Sequence, residues 1–202
     1  GDGVPNSADP SSVQKEGKEF LNTCRNLPRT SAEWNKNSEI FQRMQEAAAP
    51  IFEWIRRKME ELFPENFKIL SQYIERLPCN YLSPVHPFSG FVINLNCATR
   101  IHRDWGDSDI CLVIAFSDVE RRSDQVKGED GALCFQELGL VCRLRPGVPV
   151  IFRSRQLSHF NRHFRGYRAS LVLHTDSGLK GWADNMYGWK DNVHYRTKWS
   201  NT

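Results

Sequence analysis

Two stretches in the first half of the chain carry apolar residues at helical spacing. From Ser38 the apolar positions advance by three or four, which is the period of one helix face: they are Ile40, Met44, Ala47, Ile51, Ile55, Met59 and Leu62. Pro50 interrupts this run, and it either kinks the helix or opens a second helix at its first position. The same spacing continues over Phe67, Leu70, Ile74 and Leu77 until Pro78 ends it. The pattern predicts a helical support over residues 31–78.

After Pro87 the pattern changes to short runs rich in Val, Ile, Leu and Phe, separated by turn residues. The runs predicted as strands are Phe91–Cys97, Ile110–Phe116, Ala132–Leu138, Leu140–Leu144, Val148–Arg153 and Arg168–His174. Asp118–Gly131 is charged and is predicted as a loop. Many short strands without intervening helices favour an antiparallel barrel or jelly roll. The predicted fold class is therefore α+β, with a β core over residues 85–176 and helices supporting it from the N-terminal side.

Length and composition favour one globular domain over residues 1–202. The chain has 202 residues, of which 40% are hydrophobic and 25% are charged, as is usual for a soluble domain. Residues 1–30 are predicted as a polar surface arm with one short helix near Val13–Cys24, and residues 177–202 as an aromatic and polar tail. No apolar run is long enough for a membrane helix, and Gly1–Pro10 contains no signal-peptide core. We expect a monomer that does not bind membranes.

Cysteine and arginine usage suggest a compartment and a partner. None of the six cysteines forms a CxxC motif, and we expect free, mostly buried thiols in a reducing compartment; the four in apolar runs are Cys97, Cys111, Cys134 and Cys142. The net charge is only +3, but Val141–Arg168 contains seven arginines and no acidic residue. Such a run attracts a polyanion. The alternative is that these arginines pair with helix carboxylates near Glu53, Glu60 and Glu61.

The segment His102-Arg103-Asp104 has the spacing of two metal ligands. On an extended chain, side chains two residues apart point to the same face. An imidazole, a carboxylate and a second imidazole form the facial triad of non-haem Fe(II) oxygenases, which leaves positions open for a co-substrate and O2. The second imidazole has to come from a distant strand. We favour His159, which follows the predicted strand ending at Arg153, over His163 and His174.

Arg168 begins an alternating run in which Arg168, Ser170 and Val172 share one face. A guanidinium inside a barrel needs a polar partner, and a dicarboxylate provides one through a bidentate pair. Ser170 can donate a further hydrogen bond. Asn94 and Asn96 are predicted to share one face of their strand, where they suit the lining of a co-substrate pocket. The alternative for both strands is a polar face in contact with solvent.

Three segments resemble the 2-oxoglutarate dioxygenases, and more closely the fungal branch of the TET/JBP family of nucleic-acid base oxygenases. They are INLNCATRIHRDWGDSD from Ile93, GALCFQELG from Gly131, and RLRPGVPVIFRSRQLSHFN with the following GYRASLVLHTD. The resemblance implies a double-stranded β-helix core with His102, Asp104 and His159 as Fe(II) ligands. It also implies that Arg168 and Ser170 bind 2-oxoglutarate with help from Asn94. In the family, the spacing from the distal histidine to the arginine that binds 2-oxoglutarate favours His159 over His163. The sequence departs from the family at Val148-Pro149, where an acidic residue often follows the proline–glycine pair.

The resemblance implies that the substrate is a methylated base in DNA, first 5-methylcytosine and second N6-methyladenine. Such a base has to be flipped out of the duplex to reach the pocket. Trp105 is the candidate for stacking on it, Asp107 and Asp109 for accepting hydrogen bonds from its exocyclic amine, and Arg155 and Arg162 for holding phosphates. A nuclear location follows from a DNA substrate. The alternatives are the same chemistry on a small molecule or a protein side chain, and a non-catalytic module of this fold.

Overall fold

Three of the four described helices lie in the region 31–78 that helical spacing predicts, and the fourth lies in the C-terminal tail. A computed structural model describes residues 14–16, 19–21, 32–77, 83, 85–116, 131–164 and 167–184. Its helices are α1 Ala32–Lys36, α2 Ser38–Leu62, α3 Pro64–Glu75 and α4 Gly178–Asp184. None of the described helices is both long and apolar enough to cross a membrane.

Helix α2 runs without a break through Pro50, so the alternative that Pro50 opens a second helix is wrong. A proline inside a helix removes one backbone hydrogen bond. The side chains that α2 buries, Phe52, Ile55 and Met59, all follow Pro50, and their packing favours continuation of the helix. Pro64 instead occupies the first turn of α3, where its missing N–H costs nothing.

The described residues contain nine strands. The strands are β1 Gln14–Glu16, β2 Glu19–Leu21, β3 Gly90–Leu95, β4 Cys111–Phe116, β5 Leu133–Phe135, β6 Leu140–Cys142, β7 Pro149–Phe152, β8 His159–Asn161 and β9 Ala169–His174. The last seven form two antiparallel sheets, of which the first has the order β3-β9-β4-β7 and the second has the order β6-β5-β8. Six of them match predicted runs, whereas β8 was not predicted. The structure is therefore a combination of helices and antiparallel sheets, as expected.

Strand β4 is buried on both faces, and this explains its uninterrupted apolar sequence. Leu112 and Ile114 pack with residues of α2, α3 and β9 in one core cluster. Cys111 and Val113 point the other way and pack with Phe152 of β7 and with Leu133 and Phe135 of β5. The second cluster joins the two sheets, so β4 lies between the helical layer and the three-stranded sheet.

Two expectations require correction. The segment predicted as a helix near Val13–Cys24 contains two paired antiparallel strands, β1 Gln14–Glu16 and β2 Glu19–Leu21. Cys97 is exposed, because it follows β3 instead of lying inside it. The described cysteines are all free thiols: Cys97, Cys111, Cys134 and Cys142. Four features lie outside the described residues: the predicted loop over 118–130, the tail beyond Asp184, Cys24 and Cys79.

The glutamates of α2 pair with neighbours on their own helix. Glu53 and Glu60 both bind Arg56, and Glu61 binds Lys58. The alternative that the arginine-rich run pairs with these carboxylates therefore finds no support among the described ion pairs.

Leu173 provides a test of this packing, because its side chain is fully buried between the sheet and the helices. We expect Leu173→Ala to lower the free energy of unfolding by about 2–5 kcal/mol, since the substitution removes buried contacts and leaves a cavity. Leu62→Ala on the exposed side of α2 should change it by less than about 0.5 kcal/mol. Denaturant unfolding measures both values, and equal losses in the two variants would contradict this packing.

Candidate metal centre

A pair of backbone hydrogen bonds brings His102 and His159 together. The His102 N–H donates to the His159 carbonyl over 3.0 Å, and the His159 N–H donates to the His102 carbonyl over 2.9 Å. Residues directly opposite each other in an antiparallel pair project their side chains to the same face. The two imidazole rings accordingly lie with their centroids 4.4 Å apart.

Asp104 completes the cluster from the extended segment that carries His102. Its backbone N–H donates to the Ser154 carbonyl over 3.1 Å, which fixes this segment beside the turn after β7. One carboxylate oxygen of Asp104 lies 3.6 Å from His102 Nε2, and the other lies 3.4 Å from His159 Nε2. One ligand atom from each residue falls within 4.8 Å of the others, and among the described residues this is the group that could hold a metal ion.

Backbone carbonyls orient both imidazoles. His102 Nδ1 lies 2.6 Å from the Arg100 carbonyl, and His159 Nδ1 lies 2.9 Å from the Leu157 carbonyl. A carbonyl oxygen only accepts hydrogen bonds, so each Nδ1 carries a proton and each Nε2 points toward Asp104. This is the arrangement in which metal-binding histidines are normally held.

Charge coupling inside the cluster favours a cation. The hydrogen bond from His159 is the main cause that lowers the pKa of Asp104. Burial opposes protonation of His159, but its bonds to Asp104 and to the Leu157 carbonyl more than compensate, and its pKa rises above 6.5. A metal ion bound here takes the place of the proton on His159 Nε2, so metal binding releases that proton.

The two other candidates for the distal histidine lie elsewhere. His163 is exposed and does not belong to the cluster. His174 lies at the end of β9, where its Nδ1 is 3.3 Å from Asp107 Oδ1. The contact with Asp107 is the main cause that raises the pKa of His174. Of the three histidines that the sequence allowed, the structure brings only His159 to Asp104.

Asp107 and Asp109 have partners inside the protein. Asp107 is buried, and its Oδ2 accepts a hydrogen bond of 2.6 Å from the fully buried Ser154 hydroxyl. Asp109 accepts a hydrogen bond of 2.5 Å from Asn66 of α3. The structure thus gives both carboxylates hydrogen-bond partners inside the protein, and their contact with a substrate stays a prediction.

The predicted co-substrate residues lie on two neighbouring strands. Asn94 of β3 is paired with the buried Ser170 of β9. Asn96 does not continue the face of Asn94, because it follows β3 in a left-handed conformation with φ 53°. It instead binds the backbone of Arg168 on both sides: its N–H donates to the Arg168 carbonyl, and its side-chain oxygen accepts the Arg168 N–H.

Arg168 has the properties expected of a residue that binds a carboxylate. Its side chain is half-buried, and this burial lowers the pKa of the guanidinium. Its Nη2 is buried without a hydrogen-bond partner among the described residues. A buried donor without a partner is costly, and a carboxylate would satisfy it. The donor set therefore fits the distal carboxylate of 2-oxoglutarate.

Gly131, which sequence reasoning did not single out, provides the space beside this guanidinium. It has φ +69°, and a Cβ atom there would lie 3.1 Å from both Cδ and Nε of Arg168. Any side chain at position 131 would push against Arg168. No local sequence signal marks this role, because the contact joins two segments that are distant along the chain.

Three of the predicted substrate residues, Trp105, Arg155 and Arg162, are exposed. Trp105 is 65% exposed, and the Arg103 guanidinium lies 5.6 Å from the centre of its ring. An open groove of about 740 Å³ runs between residues 98–100 and 160–163, and Arg100 and Arg162 contribute its cationic side chains. Arg155 is exposed on the turn after β7, outside the lining of this groove. Arg100 was not predicted, since it lies outside the arginine-rich run.

Comparison with solved structures shows which fold carries this cluster. No family model and no curated protein sequence matches the chain. A solved structure, NgTET1 in complex with 5mC DNA, superposes with a TM-score of 0.61 at 15% sequence identity. The fold is TET-like. The match covers 77% of this chain but 58% of the NgTET1 chain, so the likeness is one of fold.

On this TET-like fold, replacement of one histidine tests the cluster as a metal site. We expect His159→Ala to weaken Co(II) binding by more than about 100-fold, because even the loss of a residue that only supports a ligand costs roughly 10–100-fold. His163→Ala should bind Co(II) like the unmodified protein. Isothermal titration calorimetry measures both affinities, and the reverse order would make His163 the distal ligand.

Arg168→Lys tests the co-substrate site, because lysine keeps the charge but loses the planar fork. Charge-assisted hydrogen bonds contribute about 1.5–3 kcal/mol, so we expect the affinity for 2-oxoglutarate to fall by about tenfold or more. Arg145→Lys, at an exposed position before β7, is the control. Calorimetry in the presence of Mn(II) gives the affinity, and an unchanged value in Arg168→Lys would remove Arg168 from the site.

Proposed function

We propose that this chain is an Fe(II)- and 2-oxoglutarate-dependent dioxygenase that oxidises methylated bases in DNA, with 5-methylcytosine as the first substrate and N6-methyladenine as the second. The observation that carries the proposal is the His102–Asp104–His159 cluster on a TET-like fold, together with the Nη2 of Arg168, which is buried without a partner among the described residues. In this proposal the two sheets form a double-stranded β-helix, and residues 1–202 form one domain.

Each cofactor has a defined set of residues. His102, Asp104 and His159 would hold Fe(II), and Arg168, Ser170 and Asn94 would bind the 2-oxoglutarate carboxylate. When bound, these cofactors and O2 convert a methyl C–H bond to C–OH, while 2-oxoglutarate becomes succinate and CO2. The protein keeps both imidazoles oriented through the Arg100 and Leu157 carbonyls.

The substrate assignment is supported by the surface around the cluster. The solved structure that shares the fold was determined with 5mC DNA. Trp105 follows the carboxylate ligand directly and is exposed, so its ring is available for stacking on a flipped base. The cationic groove with Arg100 and Arg162 would hold phosphates of the same strand, and Arg155 would add a contact outside the groove. A monomer in the nucleus is part of this proposal.

The function is tested by nucleoside mass spectrometry after incubation of methylated duplex DNA with the protein, Fe(II) and 2-oxoglutarate. We expect hydroxymethylcytosine and a stoichiometric amount of succinate, with neither product from Asp104→Ala. Succinate that forms without any oxidised base would favour a small molecule or a protein side chain as substrate. Absence of both products, with intact Fe(II) binding, would favour a non-catalytic module.

A double substitution tests the groove as the phosphate-binding surface. We expect Arg100→Gln with Arg162→Gln to weaken binding of all DNA sequences about equally, since phosphate contacts carry no sequence information. The slope of log affinity against log salt should flatten by about 1.8, at about 0.9 for each lost contact. Arg43→Gln with Arg57→Gln on α2 removes the same charge far from the groove. If this control flattens the slope equally, the effect comes from net charge alone.

A further inference from the structure

Glu137 lies in the turn between β5 and β6, and its carboxylate joins two other segments of the chain. Its Oε1 accepts hydrogen bonds from Arg103 Nη2 over 2.5 Å and from the Ser158 hydroxyl over 2.6 Å. Its Oε2 accepts the Ser158 backbone N–H over 2.8 Å. Arg103 Nε also donates to the Ser158 hydroxyl over 2.9 Å. The three side chains therefore form a closed set of hydrogen bonds, which we call the Glu137 clasp.

The clasp is joined to the metal cluster through neighbouring residues on both segments of the chain. Arg103 is the residue between His102 and Asp104, and Ser158 directly precedes His159. The bridge fixes the backbones of His102 and His159, and the bond from the Asp104 N–H to the Ser154 carbonyl holds the other end of the segment. The bond from Arg103 to Glu137 holds this segment against the start of β8. One carboxylate thereby connects the two segments that bring all three candidate ligands.

Fold stability alone does not account for this arrangement. About a third of each side chain is exposed, 35% for Arg103 and 34% for Glu137, and ion pairs that are open to solvent contribute little to folding. The bond from the Ser158 hydroxyl, followed by that from Arg103, lowers the pKa of Glu137 to about 2. The carboxylate is consequently ionised at neutral pH, and hydrogen bonds to an ionised acceptor are short and directional.

The clasp also contacts Trp105, the exposed residue that follows Asp104. The guanidinium that binds Glu137 lies 5.6 Å from the centre of the Trp105 ring, which is within the range of a cation–π contact. Loss of Glu137 would remove one of the two hydrogen-bond partners of this guanidinium and would weaken the support for its contact with Trp105.

We propose that Glu137 is a positioning residue of the metal centre, whose carboxylate sets the spacing of His102, Asp104 and His159 through Arg103 and Ser158. The inference rests on the metal-binding role given to these three residues in the proposed function. It assigns no chemical step to Glu137, which acts only through its two partners.

The test uses Co(II) without any substrate. We expect Glu137→Gln to weaken Co(II) binding by about 10–100-fold, as loss of a bond that supports ligands does. The visible absorption spectrum of the bound Co(II) should change, because the ligand geometry is less well held. The midpoint of thermal unfolding without metal should stay within a few degrees. Glu61→Gln is the matched control, since Glu61 also forms an exposed ion pair, with Lys58 on α2.

A double-variant cycle separates positioning from a general effect of charge. If the clasp acts as a unit, Arg103→Gln combined with Glu137→Gln should weaken Co(II) binding no more than either substitution alone. Ser158→Ala keeps the carboxylate and should cause a smaller loss in the same direction, and it replaces Glu137→Gln if that variant does not fold. Losses that simply add in the double variant would overturn the proposal.

The outcomes also distinguish this proposal from the proposed function. If the unmodified protein binds Co(II) but Glu137→Gln has the same affinity and spectrum, the positioning role alone is wrong. An equal loss in Glu61→Gln leads to the same conclusion. Failure of the unmodified protein to bind Co(II) would overturn the metal centre itself, and with it both proposals.

Discussion

The candidate site depends on the antiparallel backbone pairing of His102 with His159. Two hydrogen bonds, of 3.0 and 2.9 Å, make these distant residues direct neighbours, so their imidazoles have to share one face. Asp104 then reaches both Nε2 atoms from two positions further along the same segment. The cluster is thus a consequence of sheet geometry. The helices α2 and α3 stabilise it indirectly, by covering the β4 face that carries Leu112 and Ile114.

Behind the cluster, polar side chains converge on one buried carboxylate. The Ser154 hydroxyl and His174 surround the buried Asp107 carboxylate, and this arrangement fixes the turn whose carbonyl binds the Asp104 N–H. Burial raises the pKa of the neighbouring Cys111 thiol to about 12, so Cys111 stays protonated and unreactive. Among the described residues, Arg168 keeps a buried donor without a hydrogen-bond partner near the site, and a bound carboxylate would satisfy it.

The sequence predicted those parts of the structure that depend on local periodicity. Apolar spacing located α2 and α3, and the two-residue spacing from His102 to Asp104 placed both side chains on one face. Periodicity could not predict β8, because this strand has only three residues, beginning with His159, and they show no alternation of apolar and polar positions. The left-handed Asn96 and the space at Gly131 depend on Arg168, which is far away in sequence. The internal partners of Asp107 and Asp109, which are Ser154 and Asn66, could not be predicted because they come from segments that are distant in sequence.

A crystal structure with Mn(II) and 2-oxoglutarate tests the central claim most directly, because manganese accepts the same ligands without supporting turnover. The account predicts one Mn(II) bound by His102 Nε2, Asp104 and His159 Nε2, with 2-oxoglutarate on the metal and its distal carboxylate on Arg168 Nη2. A metal ion held by His163 or His174, or a 2-oxoglutarate bound away from Arg168, would contradict the account.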